Sequence, residues 1–356
     1  MGGLRTQTIL KKLVRIPSVT GNIETCREIV VFAQKVLNFQ KISSKILKLN
    51  NRFVLVWGET NLARTTWLVN SHLDVVPGKP EQFRPHIKGG QLWGRGSADS
   101  KGSAAVLLSS ALKWQNAAKD KHLTFMLVAD EEAGGESTKK LLKLMKNLKG
   151  GIFLEPTGEK IITQAKGIMQ VKLSVTGKSC HGSRPWDGIN ALELLISSLN
   201  KFRLKHPTPS KETKRTTFNF SIFQGNASIN QVPSEASLWC DVRWNPTDNP
   251  KLIISEFKNI FLNAKVEVVK LESPIACPHE SAILSSFSEA MQKSHIRATK
   301  GFEHGSSDAR HCTAKNIPAI VFGPKGENLH GENEWVSSES LKNVSTVLNT
   351  WISDLN

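Results

Sequence analysis

The chain has 356 residues, 39% of them hydrophobic and 22% charged, which suits a soluble globular protein of one large or two moderate domains. The formal net charge is +16, but the basic residues are scattered and no RNP, zinc-finger or helix-turn-helix signature accompanies them. The plain reading is a solvated lysine-rich surface, with attraction of an anionic substrate ahead of nucleic-acid binding, which is not expected.

In chain order, periodicity predicts helices over 22–38, 101–117 and 138–147 and strands over 52–57, 66–72, 122–129 and 151–154. Lys139, Lys140, Lys143, Lys146 and Lys149 read as one basic helix. Several of the strands are continuous apolar runs. They are expected to be buried on both faces, in a three-layer α/β domain with a mostly parallel sheet. Near Lys166-Gly167 the texture changes. Strand 168–176, helix 188–202, strands 216–224 and 235–244, helix 250–262 and strand 265–271 follow. This βαββαβ order is ferredoxin-like and reads as an inserted domain, 167–273. Helix 280–294, strand 317–322 and helix 338–353 then resume the first pattern. Residues 1–166 and 274–356 are therefore expected to form one discontinuous catalytic domain.

No apolar run approaches ~18 residues, so no membrane span is expected. The first residues lack a signal-peptide core. They match the loose myristoylation pattern at Gly2 and Thr6, which is frequent by chance. Five scattered cysteines, none in a CxxC pair, suggest a reduced cytoplasmic protein. The absence of tyrosine removes any phenolic general acid.

The apolar run from His122 ends on Asp130-Glu131-Glu132. A buried strand rarely finishes on three carboxylates unless something cationic waits at its tip. Partners stand elsewhere. His72 and Asp74 close the run that begins at Trp67; Asp99 lies in the glycine-rich stretch Gly94–Gly102; Glu155 ends another apolar run; and His330 follows Ile320-Val-Phe-Gly-Pro. Together these residues can hold two divalent metals and leave a carboxylate free as a base. Each is ambiguous alone. His72 could be a buried structural histidine, Asp99 an N-cap, and Glu131-Glu132 a solvated loop. In extended backbone, Glu131 and Glu132 would point apart, one toward a metal and the other toward an attacking water. Other chemistries lack their parts. There is no Gly-x-Ser-x-Gly elbow, Cys180 and His181 are adjacent and poorly placed as a nucleophile–base pair, Gly94-Arg-Gly96 lacks a third glycine, and no P-loop occurs.

The joint pattern runs His-x-Asp, Gly-x-Gly-x-x-Asp-x-Lys-Gly, Asp-Glu-Glu, Glu-Pro and a C-terminal His. In this it resembles the dinuclear-zinc amidohydrolase family of succinyl-diaminopimelate desuccinylase, acetylornithine deacetylase, aminoacylase and glutamate carboxypeptidase. The resemblance covers nearly the whole chain. It implies two zinc ions, with cobalt as a substitute. One would be held by His72, Asp99 and Glu155, the other by Asp99, Glu132 and His330, with Asp99 bridging. It implies Asp74 orienting His72 and Glu131 as general base for a metal-bound water. The insert would be a lid and dimerisation domain of a homodimer, with His181 reaching into the partner subunit's site to bind the oxyanion. Asn230, Arg243 and Ser306 would bind substrate, Ser306 standing where the family usually has Thr. The implied reaction is hydrolysis of an N-acyl amino acid. A dipeptidase or carboxypeptidase is the alternative within the family. A non-catalytic binding protein that keeps the fold is the alternative outside it, although every implied ligand and Glu131 are present.

Overall fold

The computed structural model describes residues 2–355. The chain divides into two compact units, one of residues 1–163, 276–302 and 307–356, the other of 164–275 with 303–306.

The first unit is built on a nine-stranded sheet. Its centre is four strands in the order Leu123–Val128, Trp67–His72, Gly150–Leu154 and Ala319–Phe322, all parallel to their neighbours. Every residue of these four strands is buried, so both faces of the sheet are covered. Antiparallel strands flank this centre. Ser44–Leu49 pairs with Arg52–Gly58, which pairs with Leu123–Val128, and Ile161–Ala165 lies against Ala319–Phe322. The helix Ile23–Phe39 starts where Asn22 accepts a hydrogen bond from Thr25 N–H at 3.2 Å. Helix Lys101–Asp120 is buried throughout Lys101–Leu108 and packs against the C-terminal helix Ser338–Asp354. Stacked rings mark the core: Trp57 and Trp114 lie 5.2 and 5.6 Å from Phe125.

Three features depart from expectation. Helix 138–147 is only Glu136–Leu141, so Lys143, Lys146 and Lys149 are not on it. Leu142, Met145 and Leu148 are all buried at the three-residue spacing found in a helical stripe, which is why the segment reads as helix although the chain past Leu141 runs as turns. An unpredicted helix spans Gly2–Val14 and buries Ile9, Leu10, Leu13 and Val14 on one side. No acidic residue marks its first turn, which hides it from a search for helix starts. Finally, a small antiparallel sheet joins Gly326–Glu327, Trp335–Ser337, Gln91–Trp93 and His86–Lys88. Its strands are two or three residues long and too short to show a period.

The second unit is a four-stranded antiparallel sheet in the order Thr217–Gly225, Glu235–Trp244, Gly167–Thr176 and Ala264–Glu272. With helices Ala191–Lys205 and Pro250–Ile260, it has the ferredoxin-like βαββαβ connectivity. The first helix begins at 191 because Asn190 caps it, accepting from Leu192 N–H at 3.0 Å. Asn249 caps the second in the same way, with Pro250 following. The middle strands alternate buried and half-buried residues, so one face carries the core. Phe202 is the centre of that core, with Phe218, Phe220, Phe257 and Phe261 at ring distances of 4.9, 5.5, 5.1 and 5.9 Å. Ser306 falls in this unit rather than in the first. The Lys166 N–H donates to the Glu303 carbonyl at 3.2 Å and draws 303–306 into it.

Candidate metal centre

Each of the four parallel strands delivers a chemical residue at its carboxyl end, where open α/β sheets bind ligands. His72 is the last residue of Trp67–His72, and Glu155 directly follows Gly150–Leu154. Glu131 and Glu132 come three and four residues after Leu123–Val128, and His330 lies in the loop beyond Ala319–Phe322. Asp99 comes from the loop after the short strand Gln91–Trp93.

That loop is shaped by a buried carboxylate. Glu334 accepts hydrogen bonds from the N–H groups of Gly96, Ala98 and Asp99 at 2.8, 3.0 and 3.1 Å, and from Arg95 Nη1 at 2.9 Å. Arg95 in turn donates through Nη2 to the His330 carbonyl at 3.0 Å. One buried pair thus fixes both the Asp99 loop and the backbone of His330. Gly96 is required, because its φ is +78° and a Cβ there would come within 2.5 Å of Val75.

The ligand atoms of His72, Asp99 and Glu155 lie within 4.8 Å of one another, and so do those of Asp99, Glu132 and His330. The two sets share Asp99. His72 Nε2 is 3.0 Å from Asp99 Oδ1 and 3.4 Å from Glu155 Oε2. His330 Nε2 is 3.3 Å from Asp99 Oδ2 and 3.2 Å from Glu132 Oε1.

Asp74 is fully buried and holds more than one neighbour. His72 Nδ1 lies 3.0 Å from its backbone carbonyl and 3.4 Å from its carboxylate. The carboxylate mainly accepts from the N–H groups of Glu131 and Glu132, at 3.2 and 3.1 Å, and from the Thr20 hydroxyl at 2.7 Å. The backbone at 131–132 is therefore not extended. It forms a single 3₁₀ turn, Glu131–Ala133, that closes on the left-handed Gly134 and Gly135.

The electrostatics are those of crowded acids. Burial, with Asp308 and Glu155 nearby, pushes Glu131 well above the usual carboxylate range. Burial pushes Glu155 up to about 7 and also raises Glu132. Asp99 goes the other way: burial opposes it, but hydrogen bonds to His330 and His72 hold its pKa low. Burial disfavours a charged His72, yet Glu155, Asp74 and Asp99 raise it well above the ordinary value. The hydrogen bond to Asp99 carries His330 up to about 9.

This cluster fits a pair of divalent ions. A carbonyl oxygen can only accept, so His72 Nδ1 carries the hydrogen toward Asp74. In the neutral ring Nε2 then directs a lone pair into the space shared with two carboxylates, a donor set that suits a divalent cation. Glu132 Oε1 is buried and receives no well-aligned hydrogen bond despite its approach to His330. The imidazole and carboxylate donors are those that zinc and its first-row neighbours take.

The remaining expected residues lie in the second unit. His181 is exposed, with Nδ1 2.8 Å from the Ser183 hydroxyl. Asn230 is exposed, and its carbonyl accepts from Gly182 N–H at 2.7 Å. Arg243 Nε donates to Asp241 on the same strand at 2.8 Å. Ser306 Oγ is buried without a hydrogen bond. Sequence reasoning missed Thr20, Arg95, Glu334 and Arg310. Arg310 stands two residues past Gly305-Ser306-Ser307-Asp308, the loop that the resemblance gives a substrate contact, and a base that close to Asp308 was the available signal.

Residues 68–354 match the sequence model of peptidase family M20/M25/M40. A relative from Staphylococcus aureus, described as a probable succinyl-diaminopimelate desuccinylase, is 27% identical, over 93% of this chain and 92% of its own. Among solved structures, aminopeptidase PepT of Bacillus cereus superposes with a TM-score of 0.80 at 21% identity, covering 99% of this chain and 98% of its own. A Bacillus subtilis protein described as a dinuclear metal-binding peptidase superposes with a TM-score of 0.72 at 14% identity, covering 99% and 98%.

Proposed function

The chain belongs to peptidase family M20/M25/M40 and is a metal-dependent amidohydrolase; from that premise we propose that it is a zinc enzyme that removes the acyl group from an N-acyl amino acid, in the manner of a desuccinylase or deacetylase. The observation that carries this reading is the pair of donor sets sharing Asp99, with the half-buried Glu131 beside them. The bacterial desuccinylase relative, similar over almost the full chain, supports the acyl-amino-acid substrate, and the +16 charge suits a carboxylate-bearing one.

His72, Asp99 and Glu155 would hold one ion and Asp99, Glu132 and His330 the other. When bound, the ions supply Lewis acidity toward the scissile carbonyl and toward water. Glu131 takes a proton from the water as its oxygen adds to the amide carbon. The same carboxyl then gives that proton to the leaving nitrogen as the C–N bond breaks. Asp74 keeps His72 in the tautomer that leaves Nε2 free, and it fixes the turn that presents Glu131. We assign His181 of a second copy to the oxyanion, and Asn230, Arg243 and Ser306 to the substrate carboxylate and its surroundings. A homodimer through the second unit is supported by the edge strand Thr217–Gly225, where Ile222 and Phe223 stand exposed. Five free thiols fit a reducing compartment such as the cytoplasm.

The test is amine release by zinc-loaded protein from N-succinyl-diaminopimelate, N-acetylornithine, N-acetylcitrulline, N-acetylmethionine and several dipeptides. Preference for one acyl-amino acid supports the reading. Cleavage of dipeptides alone replaces it with a peptidase. No turnover with two zinc ions bound per chain overturns it in favour of a binding protein.

A further inference from the structure

The turn that carries Glu131 is gripped from two directions. At its start, the Asp74 carboxylate accepts the N–H groups of Glu131 and Glu132. At its end, Arg310 Nη2 donates to the Gly134 carbonyl at 2.7 Å, and His311 Nε2 lies 3.2 Å from the same oxygen. The other arm of the guanidinium, Nη1, stands 3.7 Å from Glu131 Oε1 and 3.7 Å from Asp308 Oδ1. Arg310 is only 4% exposed, so this cation sits among carboxylates with little water to weaken it.

The fit around Asp308 is tight. It is fully buried and accepts a short hydrogen bond from the Thr138 hydroxyl. A Cβ at Gly135 would lie 1.6 Å from its Oδ1. Gly134 and Gly135 have φ of +104° and +62°, a backbone path that side chains rarely follow. The turn is closed by Gly134 N–H to the Glu131 carbonyl at 2.7 Å and Gly135 N–H to the Asp130 carbonyl at 2.9 Å. Two adjacent glycines leave the turn many conformers when nothing holds it, and an external donor at Gly134 selects one.

We propose that Arg310 is a positioning residue for Glu131: one arm of its guanidinium anchors the Gly134 carbonyl, the other faces the Glu131 carboxylate, and Asp308 keeps the fork oriented. The proposal rests on the reading of Glu131 as the base. A planar fork can meet a carbonyl and a carboxylate at once, and a lysine ammonium at the same place cannot. Misplacement of a base by about 1 Å costs on the order of 10²-fold in rate, which sets the expected effect.

The experiment compares Arg310→Gln, Arg310→Ala and Arg310→Lys with wild-type protein. It reads kcat and KM for amine release, zinc bound per chain, and amide hydrogen exchange at Gly134 and Gly135 in metal-free protein. In the Gln and Ala variants kcat falls about 10²-fold while KM and zinc content hold. The Lys variant loses less, added guanidinium restores part of the Arg310→Ala rate, and exchange at Gly134 quickens in all three. Unchanged kcat overturns the proposal. So does a fall in kcat accompanied by lost zinc and no rescue by guanidinium, since that marks general structural damage. If wild-type protein releases no amine from any amide, the proposed reaction fails instead. Exchange at Gly134 then still decides whether Arg310 holds the turn, and an unchanged rate overturns that too.

Discussion

Replacing Glu334 by Gln tests the claim that one buried carboxylate builds the Asp99 loop. Oε2 accepts from Arg95 Nη1 and Gly96 N–H, and Oε1 from Ala98 and Asp99 N–H. A glutamine has only one acceptor oxygen, so in either orientation its amide nitrogen faces two donors. Two hydrogen bonds to a charged acceptor, about 1.5–3 kcal/mol each, are lost. Arg95, 3% exposed, also keeps its charge without its carboxylate, and breaking a buried pair costs about 3–5 kcal/mol. These terms describe the same contacts and do not add, so the expected loss is about 3–5 kcal/mol. Urea unfolding of metal-free protein measures it. Chelator competition should show zinc bound about 10–100-fold more weakly, because the supports of Asp99 and of the His330 backbone are the atoms disturbed. Unfolding within about 1 kcal/mol of wild type, together with unchanged zinc affinity, would refute the reasoning.

Glu131→Ala should abolish amine release while zinc content per chain is kept; residual activity near wild type would remove Glu131 from the mechanism. Burial lowers the Lys101 pKa to about 7, so between that pH and the ordinary lysine value the unfolded chain binds a proton that the folded chain does not. Stability should therefore rise with pH above about 7, and Lys101→Met should flatten that slope in urea titrations at two pH values; an identical slope rejects the assignment. Burial pushes the Cys26 and Cys240 thiols up to about 12 and raises those of Cys277 and Cys312, whereas Cys180 is only half-buried. A thiol reagent should label Cys180 alone in native protein and all five cysteines in urea, and peptide mapping that finds another site modified first contradicts this. Phe202→Ala should cost about 3–5 kcal/mol in the second unit, read as lost amide protection in strands Gly167–Thr176 and Glu235–Trp244; intact protection would show that the phenylalanine cluster is not its core.

Much of this architecture is legible in the residues because it is local. The runs ending at Val128 and Leu154 carry almost no polar side chain, and a strand covered on both faces leaves that trace whatever its neighbours are. The βαββαβ order of the second unit is legible for the same reason, since its strands alternate and its helices begin at Asn190 and Asn249. The acids and imidazoles at strand ends were visible too, because a carboxylate that closes an apolar run is conspicuous.

What the sequence could not determine depends on contacts between distant segments. Strands as short as Gln91–Trp93 and Trp335–Ser337 are joined into one sheet by pairing with each other across more than two hundred residues, and neither has a period to betray it. Glu334 becomes the keystone of the Asp99 loop through that pairing alone. The turn at Glu131 is bent because Asp74 draws in its N–H groups and Arg310 the Gly134 carbonyl. The sequence by itself determined most of the longer elements and which residues are the candidates for the chemistry, since both follow from local spacing and polarity. Only the tertiary structure decided that the two donor sets converge on Asp99, which hydrogen bond fixes the tautomer of His72, and what holds the Glu131 turn in place. Those depend on strand order and side-chain packing, which no local pattern encodes.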